Sequence, residues 1–581
     1  MAIAVLAKPS AVVLPLLAGI LQVVALRQSW RQALPWLASW VALGSVMLAV
    51  TWSQQEEKII ETVPLPMRPL LALDALAFYG LKTLVPWPLV ADYGWRPSLL
   101  TGQWWYYVIW VVPVALAVWL IVRRRRDEWA VGTLLFTAAL LPVLGLVPFG
   151  FQYVSTVADR YAYLSMFGVA WIITGLLARH WRPATIGLAI AVTVVLAGLS
   201  TWQVGVWQND KTLFDHTAKV NDRSFAAMTN LGRWEATHGQ HDKAIDYYRK
   251  SLLLRENPVT HRCLGQSLMV QRQYAQAVPH LARAAELNVL DTEALILCGE
   301  ALLAIGKLPE ARQQFEAALR RAPTSVLAIA GIGKVLAEKG DYVGAEAQFR
   351  KAVAVDERAP QPSGADAHFA LAYLLSNRGR WDEAAEEYLV VIQRRPHDAK
   401  ARLKLAAVTL QAGRATDAAE MFAALVHAQP NLVDAYEGLA QSLLALGKTA
   451  PALDQYRHGI ARQPQWIAGQ LSLAWLLATL PDGQFRNASE ALSLAERACA
   501  ATNQRIPLAF DVLAAARAEA GDFAGAAQAA DQALALAAGK LAPQQASEIE
   551  ARRDLYRAGK PYRKAPANWA ASTPPGNLTA P

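Results

Sequence analysis

Five glycines set the register of this chain. Gly306, Gly340, Gly379, Gly413 and Gly447 stand 34, 39, 34 and 34 residues apart, and the one long interval contains the stretch "APQPSGAD". Five residues after each glycine comes an alanine: Ala311, Ala345, Ala384, Ala418 and Ala452. Four residues further comes a ring: Phe315, Phe349, Tyr388, Phe422 and Tyr456. Pro323, Pro396, Pro430 and Pro464 end the helices that carry them. A fixed period of this length predicts helix-turn-helix units that cannot bury their apolar faces alone and therefore stack. Glycine permits the turn, alanine lets two helices approach, and the ring fills the space between neighbouring units.

This pattern resembles the tetratricopeptide repeat. Weaker copies flank it at Leu231-Gly232 with Ala244 and Tyr248, at Leu264-Gly265 with Ala277, and in "GDFAGAAQAADQALALA" (521–537), while the copy at 473–498 has an enlarged turn. The reading is about nine repeats in a solenoid over 205–542, a capping helix within 543–564 and a disordered tail over 565–581. A stack of this kind binds protein or peptide along the groove formed by its first helices. In register, the groove positions include Arg262, Gln266, Glu300, Lys334, Phe369, Tyr373, Glu437 and Gln441. Their mixed signs do not read as a clamp for an acidic peptide tail.

Composition narrows the rest. The net charge of +9 is dispersed over 581 residues with no lysine-rich tract, which argues against nucleic-acid binding. Cys263, Cys298 and Cys499 are far apart and lack metal-ligand spacing, so no metal site is predicted. The repeat half carries no GxSxG, HExxH, P-loop or dinucleotide fingerprint. The triplet "NAS" (Asn487 to Ser489) matches a glycosylation acceptor, a short and common motif.

Residues 1–204 are mostly apolar and read as a transmembrane domain. Six stretches approach the roughly 20 residues that a span needs: 1–26, 33–52, 105–122, 129–149, 161–178 and 184–202. The segment 70–90, interrupted by Asp74, Lys82, Pro86 and Pro88, reads as re-entrant or interfacial. Arg27 with Arg31, "RRRR" (Arg123 to Arg126), and Arg179 with Arg182 then mark three cytoplasmic loops. That order places the N-terminus, the loop holding Asp159 and Arg160, and all the repeats on the outer face. The fold expected is all-α: a polytopic transmembrane helical domain followed by a tetratricopeptide-repeat α-solenoid. Lys8, Arg68, Asp74, Lys82, Asp92, Asp159 and Arg160, charged and close to apolar segments, are functional candidates by their cost there.

Several blocks follow one another in order: "LAKPSAVVLPLL" (6–17), the stretch 65–93, "VADRYAYLSMFG" (157–168), the stretch 207–232, "LAWLLATLPDG" and "LYRAGKPYR". That order resembles the bacterial transmembrane and tetratricopeptide-repeat proteins, a group related to protein O-mannosyltransferases of the GT-C type. The resemblance implies transfer of a sugar from a polyprenyl-phosphate carrier to protein hydroxyls on the extracytoplasmic face, with the repeats holding the acceptor. Carried over by block, Lys8, Asp159, Arg160 and Tyr161 are the residues expected at the lipid phosphate, with Asp159 orienting Arg160. The resemblance implies a bacterial inner membrane location, multi-pass, with periplasmic repeats and membrane lipid as a partner. It names no catalytic residue, because the acidic first outer loop of such enzymes is not in this sequence. That gap leads us to expect a fragment, a separate chain supplying the missing part, or a lost activity. No cofactor is identified beyond the lipid-linked sugar, and a divalent metal is left open. The alternative is a non-catalytic membrane-anchored scaffold for protein–protein interactions in the cell envelope. A glycan polymerase or ligase is a third reading.

Overall fold

The computed structural model describes residues 13–32, 64–96, 103–122, 128–146, 154–358, 365–537 and 543–564, with isolated positions between 34 and 45. The chain divides into two compact units, Met1–Gln314 and Phe315–Pro581. In the first unit the helices are α1 (Leu14–Ile20), α2 (Arg68–Leu84), α3 (Val111–Val122), α4 (Glu128–Leu140), α5 (Asp159–Ala162), α6 (Met166–Arg179), α7 (Pro183–Val206) and α8 (Asp210–Val220). The helix pairs then begin: α9 (Phe225–Thr237) with α10 (His241–Leu254), α11 (Pro258–Val270) with α12 (Tyr274–Leu287), and α13 (Thr292–Ala304) with α14 (Leu308–Arg321), the helix in which the unit boundary falls. The second unit continues with α15 (Val326–Glu338) and α16 (Tyr342–Glu357), α17 (Ala365–Asn377) and α18 (Trp381–Arg394), and α19 (Ala399–Gln411) and α20 (Ala415–Ala428). It closes with α21 (Val433–Ala445) and α22 (Thr449–Arg462), α23 (Ile467–Thr479) and α24 (Ala488–Ala501), α25 (Pro507–Glu519) and α26 (Phe523–Ala537), and α27 (Pro543–Arg557).

The start and stop of each pair are written in the sequence. Asn257, Asp291, Ser325 and Asp398 cap first helices, each side chain accepting the backbone N–H three residues on. Between the two helices of a pair, Gly306, Gly340, Gly379, Gly413 and Gly447 all have φ between 71° and 82°, the left-handed region. The pair α11–α12 has no glycine there, and Arg272 takes the position at φ 60°.

The alanines and rings sit where the period places them. Ala311, Ala345, Ala384, Ala418 and Ala452 are fully buried, as are Phe315, Tyr388 and Tyr456, and Phe349 and Phe422 are nearly so. The rings press on small residues of neighbouring first helices. A Cβ on Gly331 would lie 2.4 Å from the Phe315 ring, and one on Gly438 would lie 2.3 Å from the Phe422 ring. Glycine is required there by close approach, since a real Cβ has no room. Across the 39-residue interval, Arg380 donates to both oxygens of Glu346 at 2.7 and 2.8 Å, tying α16 to the turn before α18. The segment "APQPSG" (359–364) itself lies outside the described residues, as do "RRRR", Lys8 and the tail 565–581.

The expected polytopic membrane domain is not what forms. Among the described residues, two helical stretches are long and apolar enough to cross a bilayer: Trp104–Val122 and Pro183–Val206. The others are short. The expected span 129–149 becomes Glu128–Val143, turning to a 3-10 helix at Leu141 before Pro142, and the expected span 161–178 becomes the 14-residue α6. The described part of 1–26 is the short stretch Leu14–Ala25, and 33–52 lies almost wholly outside the described residues. The segment 70–90 folds mainly as α2, whose buried side includes Leu71, Ala72, Asp74, Ala75, Phe78 and Tyr79. The multi-pass inner-membrane location with periplasmic repeats falls with the six spans, because two candidate helices do not set a multi-pass topology. Apolar composition does not make a continuous helix, and these helices stop too early.

The close approach at Gly438 yields a direct test. Gly438→Val should lower the stability of the repeats by about 1–3 kcal/mol in urea denaturation, the usual cost of overpacking. Adding Phe422→Leu should recover part of that loss. A Gly438→Val variant as stable as the parent would show that the ring does not fill this gap.

Candidate functional site

Four charged candidates of the first unit, Asp74, Lys82, Asp92 and Asp159, are bonded to groups of the 85–96 loop or of the helix starts that it meets. The Lys82 ammonium donates to the carbonyls of Pro88 at 2.8 Å and Trp87 at 3.2 Å, and lies 5.1 Å from the Tyr93 ring centre. The Tyr93 hydroxyl lies 2.7 Å from Asp159 Oδ1 and donates to it. The Trp95 indole N–H donates to Asp74 Oδ2, and Ser224 donates to Asp92 Oδ2, each at 2.5 Å. Tyr79 brackets the backbone of Ala158, accepting from its N–H at 3.0 Å and lying 3.3 Å from its carbonyl. Together these bonds fasten the 85–96 loop to α2, to the start of α5 and to the start of α9.

Asp159 and Arg160, neighbours in sequence, part company in space. Asp159 is largely buried at the head of α5. Burial pushes its carboxyl up to about 6, against the pull of the Tyr93 hydrogen bond and the Lys82 charge. The Arg160 side chain is exposed and lies 5.1 Å from the centre of the half-buried Tyr161 ring. Among the described residues, no group of three or more His, Cys, Asp or Glu side chains is placed to hold a metal ion.

The second candidate region is the face formed by the first helices. In the first unit, Arg262 is engaged by Asp291 and Glu293, and Gln266 donates to Glu293 at 3.1 Å, so these side chains are taken up by their own pairs. Glu300 on α13 is half-buried, and Lys334 on α15 is exposed. On α17, Phe369 meets Tyr388 edge-on at 5.4 Å, and Tyr373 stands 49% exposed. Lys400 lies 5.2 Å from the Phe369 ring centre and Lys404 lies 5.9 Å from that of Tyr373. On α21, Glu437 accepts from Gln441 at 3.3 Å, and burial, with Asp434 nearby, holds its carboxyl above the usual range.

The C-terminal end of the same face is occupied by the chain itself. After α27 the segment 559–564 turns back across α23 and α25. The Lys564 N–H donates to the Thr479 carbonyl at 2.9 Å, and Arg563 donates to the Ala478 carbonyl at 3.0 Å and pairs with Glu519 at 2.6 Å. Tyr562 meets Trp475 at 5.9 Å. Arg552 of α27 lies between these two rings, 5.3 and 5.6 Å from their centres, and grips buried Asp511 with two hydrogen bonds of 3.0 and 2.8 Å. Neither the lysine–ring pairs nor this segment was legible in the sequence. Lys400 and Lys404 recur at helical spacing on a first helix, and Asp511 interrupts an apolar one; those were the available signals.

With this geometry in place, the family comparison is decisive for the repeats. The family model for the tetratricopeptide repeat matches residues 264–326, 331–399 and 403–465. The chain is a tetratricopeptide-repeat solenoid protein. It is similar to the BBSome complex member BBS4 of Bos taurus, 26% identical over 130 residues, which cover 22% of this chain and 25% of that protein's length. It is similar in fold to YrrB, a tetratricopeptide-repeat protein with an unusual peptide-binding site, at 21% identity, covering 33% of this chain and 96% of that one with a TM-score of 0.28. A second solved structure, the tetratricopeptide-repeat protein TTC0263 of Thermus thermophilus, matches at 21% identity over 32% of this chain and 99% of its own, with a TM-score of 0.29.

The expected sugar transferase is therefore corrected. The matches fall on the repeats, no polytopic domain forms among the described residues, and Asp159, expected to orient Arg160 at the carrier phosphate, is bonded to Tyr93.

Asp159 gives a pH test of this packing. Its raised pKa means that, between roughly pH 4 and pH 6, the folded chain keeps a proton the unfolded chain has lost, so stability falls as pH rises through that window. Asp74, pushed up to about 6 by burial, acts in the same direction. Asp159→Asn should make the fall shallower in thermal unfolding measured against pH. An unchanged profile would contradict the buried carboxyl.

Proposed function

We propose that the protein is a non-catalytic scaffold whose repeats, over 205–542, bind extended segments of partner proteins along the first-helix face. The observation that carries this reading is the docked segment 559–564. It shows the chemistry available on that face: ring against ring at Trp475, charge against charge at Glu519, and backbone N–H to carbonyl at Thr479. A partner segment would meet the same kind of surface at Lys334, Phe369, Tyr373, Glu437 and Gln441. In the first unit, Arg262, Gln266 and Glu300 would offer first-helix contacts of their own, with Arg262 and Gln266 already paired internally.

The finer reading is a scaffold attached to a lipid bilayer. α7 runs 24 residues with none of its apolar stretch buried inside the protein. An apolar helix of that length with no protein cover is suited to hydrocarbon. The pair Val192→Glu with Val195→Glu, both exposed now, should abolish flotation of the protein with phosphatidylcholine vesicles. Flotation unchanged in that variant would remove α7 from the anchor.

The binding claim is tested with a displayed peptide library. Peptides selected on the intact chain should lose on the order of tenfold in affinity when Phe369 and Tyr373 are both changed to alanine, as removal of aromatic anchors does. Selected peptides that bind the variant equally well would place binding elsewhere.

A further inference from the structure

The filled end of the first-helix face and its middle are opposite in sign. At the filled end, the repeats supply Asp511 and Glu519 with a ring, Trp475, and the chain's own C-terminal part supplies Arg552, Arg563 and Tyr562. In the middle, the repeats themselves supply the cations. Phe369 and Tyr373 stand one turn apart on α17, and Lys400 and Lys404 stand one turn apart on α19, making two lysine–ring pairs side by side. Neither ammonium has an ion pair or a hydrogen bond among the described residues. An ammonium carries three N–H donors, and a ring face satisfies none of them as a carboxylate would.

Two of the acids near this patch are engaged. Asp366 on α17 is held by Arg395 through two hydrogen bonds of 2.8 and 3.0 Å. Glu437 on α21 accepts from Gln441. The positive charge at Lys400 and Lys404 is thus local, flanked on α21 by the carboxyls of Asp434 and Glu437. A long polyanion such as nucleic acid would run into those carboxyls, whereas a short pair of carboxylates would not.

We infer that Phe369, Tyr373, Lys400 and Lys404 form the docking site for an acidic segment of a partner protein. Lysines four apart on a helix have Cβ atoms about 5–6 Å apart, and alternate residues of an extended chain are about 6.6 Å apart. The fitting ligand therefore carries acidic residues at alternate positions of an extended stretch, with an apolar side chain against the exposed edge of Tyr373. This rests on the reading of the first-helix face as a segment-binding surface, and it adds the sign and spacing of what is bound.

The test uses the full chain and three fluorescent probes: a decapeptide with alternating glutamates and one phenylalanine, the same peptide with lysines for glutamates, and a ten-residue oligothymidylate. Anisotropy should report binding of the acidic peptide, weakening as salt is raised. Lys400→Gln with Lys404→Gln should weaken it on the order of tenfold, and Tyr373→Ala, an exposed change, should weaken it too, with helical content by circular dichroism unchanged in both. Tighter binding of the lysine peptide, lost on Phe369→Ala with Tyr373→Ala, would overturn the assigned sign while leaving the segment-binding surface standing. Preference for the oligothymidylate would overturn the partner class. Failure of both peptides, together with a display library that yields nothing, would overturn the surface itself.

Discussion

The fold rests on one kind of contact: a ring from a second helix laid against a glycine of a neighbouring first helix. Phe315 on Gly331, Phe349 on Gly333 and Phe422 on Gly438 are such contacts. Because a ring there excludes even a methyl group, the spacing between units has little slack. The buried alanines beside the rings leave room for the two helices of each pair to approach. Removing such a ring from a packed interior typically costs about 3–5 kcal/mol, enough that the period cannot drift over several repeats. The 34-residue interval is the sequence record of that constraint.

Once the second helices carry the rings inward, the outer sides of the first helices are left to do something else. In the second unit they do two things. At the C-terminal end they seat Arg552, Tyr562 and Arg563. In the middle they present Phe369 and Tyr373 beside two lysines without counter-ions among the described residues. A docked end and an open middle on the same face make recognition of extended protein segments the natural use of the scaffold. The buried polar cluster of the first unit has a different character. Lys82, Tyr93 and Asp159, like Trp95 and Asp74, are partners of one another or of backbone, so they fasten loops.

The repeats were legible because a ring, a small residue and a left-handed glycine must recur at fixed distance, and recurrence survives in sequence. Where the glycine was replaced, at Arg272, the same backbone formed with a residue that gives no signal. The apolar half was misread for the opposite reason. Apolar composition over 129–149 and 161–178 says nothing of where a helix ends, and α4 and α6 end after 13 and 14 residues. The resemblance to a sugar transferase leaned on blocks such as "VADRYAYL", whose Asp159 turned out to bond Tyr93, 66 positions away. The lysine–ring pairs and the docked segment were invisible because both are made by residues that only folding brings together.

The central claim is that partner segments lie on the first helices. Site-specific photo-crosslinking measures this most directly. A photoreactive phenylalanine analogue placed at Tyr373, on a first helix, should capture a selected peptide in high yield. The same group at Arg350, exposed on the second helix α16, should capture almost none. Equal capture at both positions, or capture at Arg350 alone, would contradict the account.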